Sequence, residues 1–443
     1  MPFSIAIIGA GPSGLTLGRL LQVAKVDISI TIFERDTSPT SRPSQGGTLD
    51  LHNDTGLAAL KKAGLWAEAL KHLRYDGEEL KIADKNATVL LHHREEPQSK
   101  AETGEYARPE IDREVLRSML LQSVKPEIIQ WGKVLHAIDP DTGILTFRDQ
   151  STAGPFDLVI GADGAWSKVR PVLTDIKPQY SGICGFTSYI QNVNAEYPEM
   201  SKMLGRGSYF VYSDRKSFTV QRMGDESVRV AAWVMKNEKY ASDMVARYGK
   251  DEDGLKQEIL ANFSDWSPDI HRWMQASHGF IAWPLFELPV GQFWEHKKGY
   301  GLIGDAASLM TPFAGEGVNK AMKDALELAE ALEHALKTNS NIDEAVKKYE
   351  DAMFPRAKMY QLRTLRNKNA VFTENGAVNF MVTLVDMVSE EMGYDLQKGW
   401  LGWVPFKTMM FCWASFWQFL GRSRRRIGKL FARSIKQSGS KIA

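Results

Sequence analysis

The stretch from Phe3 to Val23 constrains the fold more than any other part of the chain. Phe3-Ser4-Ile5-Ala6-Ile7-Ile8 is a short apolar run that leads directly into Gly9-Ala10-Gly11-Pro12-Ser13-Gly14, and Leu15 to Val23 then reads as a helix. Strand, glycine turn and helix in that order are what a dinucleotide-binding unit requires. Gly9 permits the tight turn, Gly11 lets the backbone approach a pyrophosphate, and Gly14 lets helix pack closely on strand, with Ser13 in the same turn. The helix N-terminus points unpaired N–H groups at the anion. A second apolar run, Ile28 to Phe33, ends at Glu34, an acid placed to take the two ribose hydroxyls of an adenosine. An acid there favours an adenosine without a 2′-phosphate, so FAD or NAD rather than NADP is expected in this site.

Composition narrows the rest. With 443 residues, 43% hydrophobic and 25% charged, the chain is long enough for two or three domains with a large buried core. A net charge of +1 gives no reason to expect nucleic-acid binding. Two cysteines exclude a disulfide scaffold and an all-cysteine metal site. His52, His92 and His93 read as solvated or structural histidines, no His/Asp/Glu cluster has metal-ligand spacing, and no Gly-x-Ser-x-Gly elbow suggests a hydrolase. Met1 runs straight into the first strand without a basic n-region, so a cytoplasmic location is expected.

Two further motifs lie downstream. Phe156 to Ile160 is a short apolar strand breaking into Gly161-Ala162-Asp163-Gly164, followed by Ala165-Trp166-Ser167-Lys168-Val169-Arg170. Asp163 is open between a plain turn former and a cofactor contact. Tyr300 to Ile303 breaks into Gly304-Asp305-Ala306-Ala307, then Pro312-Phe313-Ala314-Gly315-Glu316-Gly317-Val318-Asn319 and a long helix. Asp305 can accept from the hydroxyls of a ribityl chain, while the loop from Gly315 offers backbone N–H groups and a helix N-terminus to the electron-poor end of a flavin. FAD is therefore the expected dinucleotide.

With these three motifs the sequence resembles the group A flavoprotein monooxygenases of the aromatic hydroxylase type. Glu34-Arg35-Asp36, Gly46-Gly47-Thr48-Leu49-Asp50-Leu51-His52 and Lys61-Lys62-Ala63-Gly64-Leu65 look especially like the tetracycline-degrading flavin monooxygenases. The resemblance covers roughly residues 3–355. It implies Arg35, Asp50 and Arg113 as FAD contacts, Asp305 on the ribityl-pyrophosphate portion, Gly315, Glu316, Gly317 and Val318 around the isoalloxazine, and Arg42 near the nicotinamide phosphate. Glu316 stands where glutamine is usual, which puts a carboxylate near the flavin. The resemblance further implies NADPH as a transient reductant without its own domain, and a flavin C4a-hydroperoxide that passes one oxygen of O₂ to a hydrophobic aromatic or polycyclic molecule by hydroxylation or epoxidation. No protein side chain is assigned as a catalytic base. A flavin dehydrogenase or reductase without oxygen transfer, and a non-catalytic FAD-binding scaffold at a membrane, are the other readings.

Between Lys177 and Gly279 short alternating runs, Ile183 to Ile190, Ser208 to Tyr212, Ser217 to Arg222 and Val228 to Trp233, predict an antiparallel sheet with one face covered. By resemblance this sheet roofs the flavin, with Thr187, Tyr189, Tyr212, Gln221 and Phe313 as candidate substrate residues; Thr187 stands where a glutamine would be expected. The architecture expected is α/β. A Rossmann-like FAD-binding domain (1–176 and 279–395, mixed or parallel sheet) interleaves with an antiparallel-sheet substrate domain (177–278), and C-terminal helices follow. Glu344 to Lys358 and Met359 to Asn369 read as two helices. In 396–443 the apolar run after Pro405 is too short for a bilayer span, and eight basic residues with no acidic one follow from Arg422. This hydrophobic, basic amphipathic extension predicts either peripheral contact with an anionic membrane or docking on a partner or on the body, which has a net charge of −7 over 1–421.

Overall fold

A computed structural model describes residues 2–41, 46–94 and 108–391. Arg42 and the 396–443 extension lie outside the described residues.

Five strands form a wholly parallel sheet in the order Tyr300–Leu302, Leu158–Gly161, Phe3–Ile8, Ile28–Phe33, Ile129–Gln130. Ile5, Ile7, Ile32 and Ile160 are wholly buried in it, because parallel strands carry helices on their faces and read as continuous apolar runs. The helices Pro12–Val23 and Gly317–Thr338 pack on each other beside this sheet. The alignment has one decisive consequence. Ile8 gives way to the glycine turn, Phe33 to Glu34, Gly161 to Asp163-Gly164 and Leu302 to Gly304-Asp305, so parallel pairing gathers all the sequence motifs at one edge. Ligands of open α/β sheets bind outside this carboxyl edge.

The second large sheet has seven strands, in the order His278–Glu287, Gln179–Ile190, Val228–Met235, Lys216–Arg222, Ser208–Ser213, Leu80–Ala83, Val89–His93. All neighbours are antiparallel except Ser208–Ser213 with Leu80–Ala83. Alternation splits its residues between two faces. Phe186, Tyr209, Phe218, Val230 and Ala232 pack with the helices Tyr240–Tyr248, Glu252–Ala261 and Pro268–Ala276. Ile183, Tyr212, Ala231 and Trp233 look the other way, toward Val378, Phe380 and Met381 of the helix Gly376–Glu391. The four strands expected from alternation are present, and the flanking stretches 80–93 and 278–287 complete the sheet.

The two helices expected around residue 358 are one, Ile342–Val371, with Pro355 inside it. Proline removes one backbone hydrogen bond and normally breaks a helix. Here Tyr349, Met353, Ala357 and Tyr360 are all buried along one side, and that burial carries the helix through. Among the described residues no helix is long and apolar enough to cross a membrane.

Candidate active site

The glycine turn is built from close backbone approaches. Gly9 has φ +111°, and a Cβ there would lie 2.5 Å from the Ala162 carbonyl oxygen of the neighbouring strand's turn. A Cβ on Gly14 would lie 2.0 Å from the Gly9 carbonyl oxygen. Gly11 differs, since nothing stands within 4 Å of its Cβ position and it faces the large cavity. The helix that follows has no side-chain cap and no acid in its first turn, which leaves its N–H groups directed at that cavity. Glu34, buried, accepts from the Ala10 N–H at 2.6 Å and the Asp36 N–H at 2.9 Å while lining the same space, so it braces the turn as well as facing the ligand side.

Asp163 accepts from the Lys168 N–H at 2.6 Å through Oδ2, and its buried Oδ1 has no hydrogen-bond partner. Burial pushes its carboxyl above the ordinary value, despite the Ser167 hydroxyl and the Lys168 N–H. Arg170 joins this turn to the next motif. Its buried guanidinium donates to the carbonyls of Ala165 (2.8 Å) and Ala306 (2.8 Å) and, at 3.3 Å, to that of Asp305. Below the Gly304-Asp305 turn, Lys320 Nζ donates to the Gly304 carbonyl (2.8 Å) and Ser308 Oγ (2.7 Å), and Asp324 accepts from the Gly304 N–H at 3.1 Å. Arg356 donates to Asp324 at 2.8 Å and also pairs with Glu327. Lys320 and Asp324 are fully buried.

Arg113 projects from the start of the helix Arg113–Ser123 into the cavity, enclosed by protein yet exposed to that volume. A Cβ on Gly46 would lie 2.6 Å from its Cδ, and Gly46 has φ +128°, so this position demands glycine. Asp50 faces the same space beside Gly315, which has φ +72° and whose Cβ position is 3.3 Å from Asp50 Oδ1. Asn319 ties the two together: its Nδ2 donates to the Asp50 carbonyl at 2.8 Å, and its Oδ1 accepts from the His52 N–H and Thr55 Oγ1, both at 3.0 Å.

One cavity of about 2460 Å³ runs through all of this. Gly9, Gly11, Ser13, Glu34, Arg35, Asp50, Arg113, Asp163, Asp305, Gly315, Gly317 and Val318 line it. Gly14 sits behind the turn. Glu316 departs from expectation: its side chain is buried, 3% exposed, and turns away from the cavity toward His52 and Arg363, so only its backbone belongs to the loop. His52, read as a plain structural histidine, bonds Asp50 at 2.9 Å.

Thr187, Tyr189, Tyr212, Gln221 and Phe313 all line the same cavity. The Trp283 indole donates to Thr187 Oγ1 at 2.8 Å, and the Tyr189 hydroxyl donates to the Gly46 carbonyl at 3.2 Å. Tyr212 meets Phe380 edge to face at 5.1 Å, and Phe313 meets Phe372 at 5.2 Å. The sequence reading missed Arg229 and the roof formed by Phe380, Met381 and Leu384. Arg229 pairs with Tyr189 across the sheet, and its buried Nε has no hydrogen-bond partner. A signal was present: residues 229, 231 and 233 share one face, and an arginine on the covered face of an apolar strand calls for a partner.

Residues 3–361 match the family described as FAD binding domain. A monooxygenase of Emericella nidulans, asqM, is 33% identical over 446 aligned residues, covering 86% of this chain and 98% of the relative. A monooxygenase of Penicillium thymicola, penA, is 34% identical, covering 85% and 96%. Among solved structures, HpxO of Klebsiella pneumoniae, crystallised with FAD and uric acid, shares the fold with a TM-score of 0.67 at 17% identity, covering 92% of this chain and 97% of that one.

Proposed function

The chain belongs to the FAD-dependent monooxygenases of the group A, aromatic hydroxylase type, and on that premise we propose that it hydroxylates or epoxidises a hydrophobic aromatic or polycyclic small molecule with NAD(P)H as transient reductant. The residues present fit FAD. The turn has no room for a Cβ at Gly9 or Gly14 yet is open at Gly11, and Asp163, whose buried Oδ1 has no partner, is among the residues that line the cavity. In this reading Gly11 and the N-terminus of Pro12–Val23 receive the pyrophosphate, Glu34 and Arg35 the adenosine, Asp305 and Arg113 the ribityl-pyrophosphate portion, and Asp50 with the Gly315 to Val318 loop the ring. Bound FAD, reduced and exposed to O₂, supplies the oxygen-transfer chemistry.

The chain's own residues bind, orient and keep water out. A single observation carries the substrate class: the cavity continues past the Gly315 loop into a chamber walled by Thr187, Tyr212, Trp233 and Phe313 and roofed by Phe380, Met381 and Leu384. Pockets for single drug-sized ligands run to about 1,000 Å³, so this space takes a dinucleotide and a substrate together. Aromatic rings prefer edge-to-face or offset partners, which the chamber offers to a flat substrate. The uric acid held in the HpxO crystal, a flat ring molecule, is in keeping with this class. Arg229 and Gln221 would orient an oxygen on that molecule. We place the substrate-side unit at 177–278, completed by strands from 80–93 and 278–287. The basic tail supports peripheral contact with an anionic membrane.

The test is anaerobic reduction of the FAD-loaded protein by NADPH, with and without a panel of polycyclic phenols and alkaloids. Bleaching of the flavin band accelerated by one panel member, followed by incorporation of one ¹⁸O atom from ¹⁸O₂ into it, is the expected result. Reduction that no member accelerates, or O₂ consumed with no labelled product, overturns the substrate reading.

A further inference from the structure

Behind the loop that presents Gly315 and Gly317 to the cavity, Asp50 leads to two largely buried titratable groups, His52 and Glu316, to which the proposed reaction gives no role. Asp50, on the strand Thr48–Asp50, has its side chain 36% exposed at the cavity wall. Its Oδ2 is 2.9 Å from His52 Nε2, and His52 Nδ1 is 3.5 Å from Glu316 Oε2. Glu316 is nearly inaccessible, and this Oε2 has no hydrogen-bond partner. Arg363, on the helix Ile342–Val371, stands 3.7 Å from Glu316 Oε1. Tyr360 and Asp54 face the group from the same helix and from the loop after Leu51, while Arg108 and Glu110 face it from the strand side.

A carboxylate with an orphaned oxygen in a buried site is costly unless a proton or a cation attends it. Arg363 at 3.7 Å balances one oxygen, and His52 is the group within reach of the other. Burial works against the His52 imidazolium, but the hydrogen bond and charge of Asp50, with the charge of Glu316, hold it above its ordinary value. Burial likewise pushes the Glu316 carboxyl up. Both groups are thus shifted toward holding a proton, and they face each other at 3.5 Å. The pair also sits directly under the first turn of Gly317–Thr338, where the N-terminal backbone dipoles favour negative charge on whatever occupies the loop.

We propose that Asp50, His52 and Glu316 form a proton store behind the ring-binding loop, taking one proton from solvent when negative charge arrives on the flavin and returning it when that charge leaves. This rests on the reading that the ring lies against residues 315–318. The balance is simple: an N–H bond forms at His52 Nδ1, or an O–H bond at Glu316 Oε2, as one O–H bond of a solvent hydronium breaks and leaves water. Asp50 fixes the ring by accepting from Nε2–H and leaves Nδ1 to face Glu316. His52 and Glu316 are positioning residues, acting on the flavin through charge, through Asp50 and through the Gly315 backbone.

The experiment uses the full chain loaded with FAD and reduced photochemically, so that it does not depend on NADPH or on any substrate. Proton uptake per flavin is followed with an indicator dye at a series of pH values around neutrality in wild type, His52→Gln and Glu316→Gln. Wild type should take up more protons than His52→Gln over a band of pH, and Glu316→Gln should move that band. Independently, histidine-selective NMR of the wild type should show the His52 ring titrating about one unit higher in the reduced than in the oxidised protein, a ~tenfold change in proton affinity. The same His52 titration in both redox states, or equal uptake by His52→Gln, overturns the store while leaving the flavin seat intact. Should the variants not fold, the wild-type NMR comparison decides alone. A chain that shows no flavin absorption after reconstitution overturns the seat, and the store with it.

Discussion

At the scale of single residues the glycine turn separates two demands that one motif usually hides. Gly14 is glycine for the sake of the protein, because its Cβ would lie 2.0 Å from a backbone oxygen that cannot swing aside. Gly11 is glycine for the sake of something outside the protein, because its φ of −81° suits any residue and its Cβ position is empty to 4 Å. The two alanine variants should therefore part company. Gly14→Ala should lose ~3 kcal/mol or more of stability in denaturant melts, since backbone must move to relieve the overlap. Gly11→Ala should melt within about 0.5 kcal/mol of wild type. Its FAD dissociation constant, measured by flavin fluorescence, should rise at least ~tenfold, about 1.4 kcal/mol. An unchanged FAD affinity in Gly11→Ala would put the pyrophosphate somewhere else. The same distinction explains what could be read without coordinates. Gly9, Gly11 and Gly14 encode their turn in six contiguous residues, so strand, turn and helix N-terminus follow from local backbone chemistry. The orientation of Glu316 could not be read that way, because it is decided by His52 and Arg363, which arrive from distant segments.

At the scale of elements, the motifs work only because helices and strands hold them in register with one another. The Asp-Gly and Gly-Asp turns are 136 residues apart at the Arg170 to Ala306 contact, a separation no sequence pattern reports. Beneath the second turn, the helix Gly317–Thr338 is keyed to the Gly304-Asp305 turn through Lys320 and Asp324, and to Ile342–Val371 through Arg356. Lys320 and Asp324 stand four residues apart on one helix, yet both are fully buried and tie elements together rather than pairing on a surface. Breaking a buried pair by removing one partner leaves an uncompensated charge in a site water cannot reach. Asp324→Asn keeps the size of the side chain and an acceptor for the Gly304 N–H, but strands Lys320 and leaves Arg356 only Glu327. A loss of roughly 3–5 kcal/mol in urea-unfolding free energy is expected, together with weaker FAD binding because the Asp305 turn loosens. Asp324→Asn with wild-type stability would mean that the network is not the support of that turn. The large sheet teaches a related lesson. Its four central strands announce themselves by alternation, but the parallel seam between Ser208–Ser213 and Leu80–Ala83 joins segments more than a hundred residues apart and is legible only in three dimensions.

At the scale of the whole molecule, charge is distributed as unevenly as the average is bland. The net +1 conceals a −7 body over residues 1–421 and eight basic residues with no acid from Arg422 onward. The parallel sheet, the seven-stranded sheet and the roof helix account for a cavity able to hold cofactor and substrate, so the reaction as proposed asks nothing of that tail. On the proposed reading, its basic residues and the tryptophans at 400, 403, 413 and 417 meet an anionic interface, from which the proposed hydrophobic substrate would reach the cavity. Each Lys or Arg near an anionic membrane is worth about 1 kcal/mol, and the attraction is screened within a Debye length. The full chain should therefore co-sediment with phosphatidylserine-containing vesicles at low salt, should release as salt rises, and should ignore pure phosphatidylcholine. Arg424→Gln, Arg425→Gln and Arg426→Gln together remove three charges, so vesicle affinity should fall by about 3 kcal/mol, on the order of a hundredfold, with turnover of a water-soluble substrate unchanged. If wild type binds neither vesicle, the basic segment answers to the acidic body of its own chain, and the triple variant should then show its effect in the melting temperature.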